Sequence, residues 1–178
     1  MDTAASNSRG NSDSNARLIE RFYEAFSRRD HEAMAACYGP DATFSDPVFQ
    51  NLKGAEVGAM WRMLCERGTD LEVSWSDVQA DGHHGSARWE ARYTFTATGR
   101  EVHNKIRADF TFIDGKIETH RDHFDFYRWS RMALGPLGVV LGWTPIVRGR
   151  VRDQADRQLR KFMASAGGSD SEPSSAGM

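Results

Sequence analysis

The hydrophobic pattern changes its period at Gly68, and that change limits the fold more than any other feature of the 178 residues. Before it, apolar side chains recur three and four residues apart. Leu18, Ile19, Phe22, Tyr23 and Phe26 form one set; Met34, Cys37 and Tyr38 a second; Val57, Met60, Trp61 and Leu64 a third. Such spacing lays one apolar stripe along a helix. After Gly68 apolar and polar residues alternate, through Leu71, Val73 and Trp75, then Trp89, Ala91, Tyr93 and Phe95, then Val102 to Ile113 and Ile117 to Trp129. Alternation is the signature of strands with one buried face. The breaks fall at Asp81-Gly82, Thr98-Gly99 and Asp114-Gly115, and Asp-Gly is a strong tight-hairpin signal, so neighbouring strands run antiparallel. Helices followed by a meander predict an α+β fold, with the helices on one face of a curved antiparallel sheet.

Turn and cap chemistry sets the expected boundaries. Asn15 can cap a helix from Ala16, which Arg28-Arg29 closes, and Asp30 can cap a short second helix that Gly39-Pro40 stops. A strand over Ala42–Asp46 ends at Pro47, and a third helix opens at Gly54 and closes at Gly68. Residues 148–164 carry Val151, Ala155, Leu159 and Phe162 along one side of an extra C-terminal helix. Residues 1–15 and 165–178 are poor in large apolar side chains and are expected to be disordered tails around a single domain of residues 16–164.

Composition excludes several function classes. The net charge is −2 with no long basic run, which argues against a nucleic-acid partner. No apolar core follows a basic start, so no signal peptide is expected. Cys37 and Cys65 make neither a disulfide nor a metal framework; buried free thiols in a reducing cytoplasm are expected. Residues 132–147 are apolar but hold three glycines and two prolines. They are too short and broken to span a bilayer and read as a packed lid or a dimer contact, with membrane association the lesser alternative; no membrane partner is expected. His83-His84 lack the further ligands a metal needs. There is no phosphate loop, dinucleotide fingerprint or nucleophile elbow, and nothing calls for a cofactor.

Three places could carry chemistry. Asp46 stands at a strand end with Pro47 pinning the backbone beyond it, as a general base or as a cap for that turn. Asp122 lies in His-Arg-Asp-His-Phe-Asp-Phe, where alternation puts His120, Asp122, Phe124 and Phe126 on one face. Desolvation there would favour a protonated carboxyl, able to protonate a leaving oxygen; the plainer alternative is a buried Asp paired with an Arg or His. Arg88 and Glu90 alternate with Trp89 and Ala91, so either they or the apolar side chains face inward. His120 could be a second proton carrier or a satisfied core histidine. His31, His103 and His123 look like surface or interface residues.

The order helix, short helix, DATFSDPVF, third helix and a meander ending DGKIETHRDHFDFY resembles the nuclear transport factor 2-like superfamily over residues 17–129. That superfamily includes ketosteroid isomerases, limonene-epoxide hydrolases and polyketide cyclases. The resemblance implies a cone-shaped sheet around a pocket that helices close, usually in a homodimer. It implies a general base at Asp46 by likeness to the isomerase Glu-Asp-Pro. By likeness to the hydrolase Trp-Arg-Asp-Tyr-Phe-Asp it implies a catalytic acid at Asp122, with Arg88 bridging carboxylates and Glu90 in the acid–base set. At the positions of the isomerase oxyanion hole stand Phe22 and Ala108, which cannot donate a side-chain hydrogen bond. Phe44 and Asp46 stand where the hydrolase has Tyr and Asn. The expected function is a cofactor-free enzyme moving protons on a small hydrophobic, oxygenated molecule, in a pocket lined by Phe22, Phe44, Trp61, Tyr93, Phe110, Phe112 and Phe124. A ligand-binding module without turnover and a pure dimerisation domain are the alternatives.

Overall fold

A computed structural model describes residues 2–167, with side chains from Gly10 to Ala166. Three helices come first: α1 (Asp2–Ser27), α2 (His31–Ala35) and α3 (Ala55–Arg67), with strands β1 (Tyr38–Ser45) and β2 (Leu52–Lys53) between the last two. The long strands β3 (Glu72–Ala80), β4 (His84–Phe95), β5 (Arg100–Ile113) and β6 (Lys116–His123) follow. Helices α4 (Phe126–Leu134), α5 (Pro136–Leu141) and α6 (Pro145–Gly167) complete the chain. The α+β architecture is the expected one: a six-stranded curved, unclosed sheet with helices packed on it.

The strand order is β2-β1-β6-β5-β4-β3. The Asp114-Gly115 hairpin forms as expected, and both residues take positive φ, at 51° and 71°, as the two-residue turn that matches strand twist requires. One pairing lies outside the antiparallel meander. β1 runs parallel to β6, with Phe44 opposite His120 and Ser45 opposite Arg121. Alternation did not predict it, because a parallel partner has no hairpin to announce it. Gly39-Pro40 lie within β1 rather than before it.

Two other boundaries move. The first helix begins at Asp2 rather than Ala16. Asn15 does not cap it; its buried side chain donates to the Asp81 carbonyl at 2.9 Å, tying the helix to the β3–β4 turn. Residues 2–15 are therefore helical where a disordered tail was expected, since no proline interrupts them. Of the expected C-terminal tail, residues 165–167 extend α6 and residues 168–178 lie outside the described residues. The last strand stops at His123, because Asp125 caps α4 by accepting from the Arg128 amide at 3.0 Å. Phe126 thus belongs to a helix.

The core lies between the sheet and α1 and α3. Ile19, Phe22, Tyr23 and Phe26 of α1, and Val57, Met60 and Trp61 of α3, are buried in it. Cys37 and Cys65 are buried and unpaired. A second, smaller cluster forms around Val102, Phe126, Trp129 and Ala133, where α4 covers the other end of the sheet. Val48, Tyr93 and Phe124 pack against both clusters and join them.

Helix α5 is seated by backbone contact. A Cβ added to Gly138 would lie 1.9 Å from the Ser130 carbonyl oxygen, and one on Gly142 would lie 2.0 Å from Ser130 Oγ. Only glycine fits this close approach to α4. Gly138→Ala is therefore expected to lower stability by about 1–3 kcal/mol, or to lift α5 off α4. Denaturant unfolding and amide exchange across residues 136–142 measure the two outcomes.

Candidate active site

The parallel β1–β6 register brings two sequence-distant carboxylates together. Phe44 stands beside His120 and Ser45 beside Arg121, and Asp46 follows in the turn just past β1, near enough for the Asp122 charge to act on its carboxyl. Alternation points Phe44, His120 and Asp122 to the inner face, where all three are buried.

His120 and Asp122 belong to one buried hydrogen-bonded chain. Trp61 Nε1 donates to Tyr38 Oη at 2.9 Å, and Tyr38 Oη lies 2.6 Å from His120 Nδ1. His120 Nε2 lies 3.0 Å from Asp122 Oδ1, which also accepts from Trp89 Nε1 at 3.2 Å. The donor inventory orders the protons. An indole can only donate, so Tyr38 accepts from Trp61 and spends its own proton on His120 Nδ1. That assigns the neutral Nε2–H tautomer, which donates to Asp122. A protonated imidazole would turn both nitrogens into donors and leave the Tyr38 hydrogen without an acceptor.

Small side chains make the reach from Trp89 to Asp122 possible. Ala108 of β5 stands directly opposite Asp122 and is wholly buried. Ala87 of β4 stands opposite Ala108. Both alanines are buried, Ala87 at 1% and Ala108 at 0% exposure, beside the Trp89–Asp122 contact.

Aromatic rings enclose the histidine. Phe110 packs on it at 4.3 Å between ring centroids, Phe44 at 5.1 Å, Phe22 at 5.5 Å and Trp61 at 5.8 Å. Phe112 stacks behind Phe110 at 6.3 Å. These residues, expected to line an open pocket, instead fill the inner end and hold the hydrogen-bonded chain. Tyr93 and Phe124, expected beside them, stand apart at the join between the two clusters. The Tyr93 hydroxyl accepts from Trp129 Nε1 at 2.9 Å, and burial pushes its pKa up.

Asp46 is anchored by its own turn. Its Oδ1 accepts the amides of Val48 at 2.6 Å and Phe49, so it caps the turn at Pro47. Burial nonetheless pushes its pKa up to about 7, against the pull of the Phe49 amide and with further upward pressure from the Asp122 charge. Both aspartates are held through Oδ1, which orients Oδ2 of each. From the far side, Arg152 of α6 donates to the Pro47 carbonyl at 2.9 Å.

Tyr23 is the group that sequence reasoning missed. Its hydroxyl is buried with no hydrogen-bond partner. Burial raises its pKa well above the usual phenol value, and the Asp122 charge and Tyr38 raise it further. It therefore lies within electrostatic reach of the acid–base chain. Tyr38 and Trp89 were also missed, having been read only as apolar members of their stripes. The available signal was that each carries a polar atom that must find a partner once buried.

Arg88 and Glu90 do not join this site, which corrects the expectation that they act with Asp122. Trp89 faces inward, so its neighbours face out. Arg88 is exposed and lies 3.5 Å from Asp77. Glu90 is bound by His103 Nε2 at 2.5 Å and Lys105 at 3.1 Å, in that order the causes that hold its carboxyl below the usual range. Both line an open groove of about 690 Å³, whose other polar walls include Ser76, Asp77, Lys105, Arg107 and His123. These lie on the opposite face of the sheet from Asp122.

The SnoaL-like domain model matches residues 19–120, more than half of the chain. The chain belongs to the SnoaL-like domain family, within the nuclear transport factor 2-like superfamily. No curated protein sequence matches it. Among solved structures it is similar to an epoxide hydrolase of limonene-epoxide-hydrolase type from M. tuberculosis, at 22% identity and TM-score 0.59, covering 73% of this chain and 96% of that one. It is similar to a putative polyketide cyclase from Xanthomonas campestris at 20% identity and TM-score 0.59, covering 69% and 98%. It is also similar to a putative ketosteroid isomerase from Kribbella flavida at 14% identity and TM-score 0.52, covering 65% and 80%. Likeness at this level establishes the fold. The family match includes Asp46 and His120 and ends before Asp122 and α4–α6.

Two expectations follow from this geometry. The folded protein holds the Asp46 proton to about pH 7, whereas an unfolded Asp releases it near 3.8. Between those values the folded state binds more protons, so this group's contribution to stability falls as pH rises. Asp46→Asn keeps an oxygen for the two amides and removes the titration. Its melting temperature relative to wild type is expected to climb from pH 4 to pH 8; a flat difference refutes the buried-acid assignment. Tyr23→Phe deletes an unpaired buried hydroxyl and is expected to stabilise the fold by about 1 kcal/mol, read from urea midpoints.

Proposed function

We propose that this SnoaL-like protein is an enzyme that transfers protons to and from a small, apolar, oxygen-bearing substrate, using its own carboxyl groups. The observation that carries the reading is the Tyr38–His120–Asp122 chain, buried among aromatic rings within electrostatic reach of Asp46, an acid whose pKa is pushed up to about 7. Burying an ionisable pair is unfavourable, and a scaffold gains nothing that an apolar pair would not supply. An active site gains a carboxylate of fixed orientation.

In this reading Asp122 is the base. The neutral His120 Nε2–H steadies its Oδ1, leaving Oδ2 to take a proton from a carbon next to a carbonyl, or from a water attacking an epoxide carbon. Asp46, protonated below about pH 7, gives its proton to the carbonyl or epoxide oxygen as negative charge develops there. The Tyr23 hydroxyl supplies a second donor for that oxygen. Val48, Tyr93 and Phe124, between the two apolar clusters, are the expected contacts of the substrate body. A homodimer in the cytoplasm is proposed as the setting, as the family resemblance and the cysteine usage imply.

The test uses enolisable cyclic ketones in deuterated water and cyclic epoxides in ¹⁸O-labelled water. Deuterium at the α-carbon reports isomerase or cyclase chemistry, and labelled diol reports hydrolysis. Asp122→Asn is expected to lower the active rate by roughly 10²–10⁴-fold while ligand-induced thermal stabilisation survives. The wild-type rate should fall as pH rises through about 7, and Asp46→Asn should remove that inflection. Undiminished turnover in Asp122→Asn overturns the assignment. Thermal stabilisation by ligands with no exchange and no diol makes the protein a binding module instead.

A further inference from the structure

Helix α5 inverts the usual arrangement of a surface helix. It buries Gly138 and Gly142 against Ser130 of α4 and turns its aliphatic side chains outward. Leu137 is 56% exposed, Val140 64%, and beyond the helix Trp143 and Ile146 are each 69% exposed. Among the described residues, six of the seven exposed large hydrophobic side chains fall between Leu137 and Ile146. Scattered exposed apolar residues need no explanation, but a contiguous set marks a contact surface. The expected packed lid is thus seated by its glycines, with its apolar side facing out.

Charge identifies what covers it. From Phe126 to Arg152 the chain carries five arginines and no Asp or Glu, in a protein whose net charge is −2. Arg128, Arg131, Arg148 and Arg150 are exposed. None of the four forms a salt bridge with a described carboxylate; Arg131 and Arg148 lie over the rings of Tyr127 and Phe126 instead. An isologous contact between two copies would set this arginine-bearing, acid-free segment against itself, with no carboxylate of its own to neutralise the charge. An anionic surface would neutralise them while the apolar tip between them leaves water. No described helix is long and apolar enough to cross a membrane, so a lipid contact at this segment would be peripheral.

We propose that the α5 segment, residues 136–146, is a peripheral membrane anchor that inserts Leu137, Val140, Trp143 and Ile146 among the acyl chains of anionic lipid, with the flanking arginines on the headgroups. An apolar face, a Trp at the interface and a basic rim are the elements such anchors need. The proposal is independent of the acid–base chemistry, and it reverses the sequence expectation of no membrane partner.

Sedimentation with phosphatidylcholine vesicles, with and without phosphatidylglycerol, tests it in the full chain. Pelleting is expected with the phosphatidylglycerol vesicles and is expected to weaken in high salt. Arg148→Gln with Arg150→Gln should weaken it roughly thirtyfold. Val140→Asp and Trp143→Ser, both at exposed positions, should abolish it without lowering the melting temperature. Equal pelleting of wild type and Val140→Asp, or none with either vesicle, overturns the proposal. So does a wild-type dimer in solution that Val140→Asp converts to monomer, because a second copy would then be the occupant.

Discussion

The parallel pairing of β1 with β6 is the contact on which the rest of the site depends. It sets Phe44 beside His120 and leaves Asp46 within reach of the Asp122 charge, though 76 positions separate the two aspartates in the sequence. A one-residue slip would turn Phe44 to the opposite face of the sheet. The register is strongly specified, because Phe44 is one of the rings packed on His120 and is itself almost fully buried.

Burial then decides the chemistry of the polar groups. Inside an aromatic shell every donor and acceptor must be matched, and the chain from Trp61 through Tyr38 and His120 to Asp122 matches each in one direction only. That directionality fixes a tautomer and holds the carboxylate in one orientation. The same surroundings leave the Tyr23 hydroxyl unmatched, and burial in its own turn pushes the Asp46 pKa up to about 7. An orphaned donor and a protonated acid beside an oriented carboxylate are the parts a proton-transfer site requires.

Much of the fold was legible along the chain, because periodicity reports burial locally. The first and third helical stripes, the body of each long strand and the Asp114-Gly115 hairpin formed where the pattern put them, and Asp30 and Gly54 mark the starts of α2 and α3, whereas Tyr38 opens β1 and the run expected to reach Trp129 turns into α4 at Phe126. The site was legible in part. His120 and Asp122 are both on the buried face, as alternation required, while Asp46 lies in the turn after β1. The same rule, once Trp89 is known to face inward, sends Arg88 and Glu90 outward. Tyr23, Tyr38 and Trp89 were hidden because an amphipathic ring counts as apolar in any periodic pattern, and its polar atom acquires meaning only with a partner in view.

Local physics in the sequence determined the main helical and extended segments and which side of the long ones is apolar, since these depend on neighbours within a few positions. The tertiary structure alone decided what those faces meet. It chose β6 as the parallel partner of β1, packed the rings of the expected pocket around a histidine, and seated α5 on α4 through glycines so that its aliphatic side chains face out. Each of these is a contact between segments far apart in the chain, set by volume and by the matching of buried polar atoms, neither of which has a period to read.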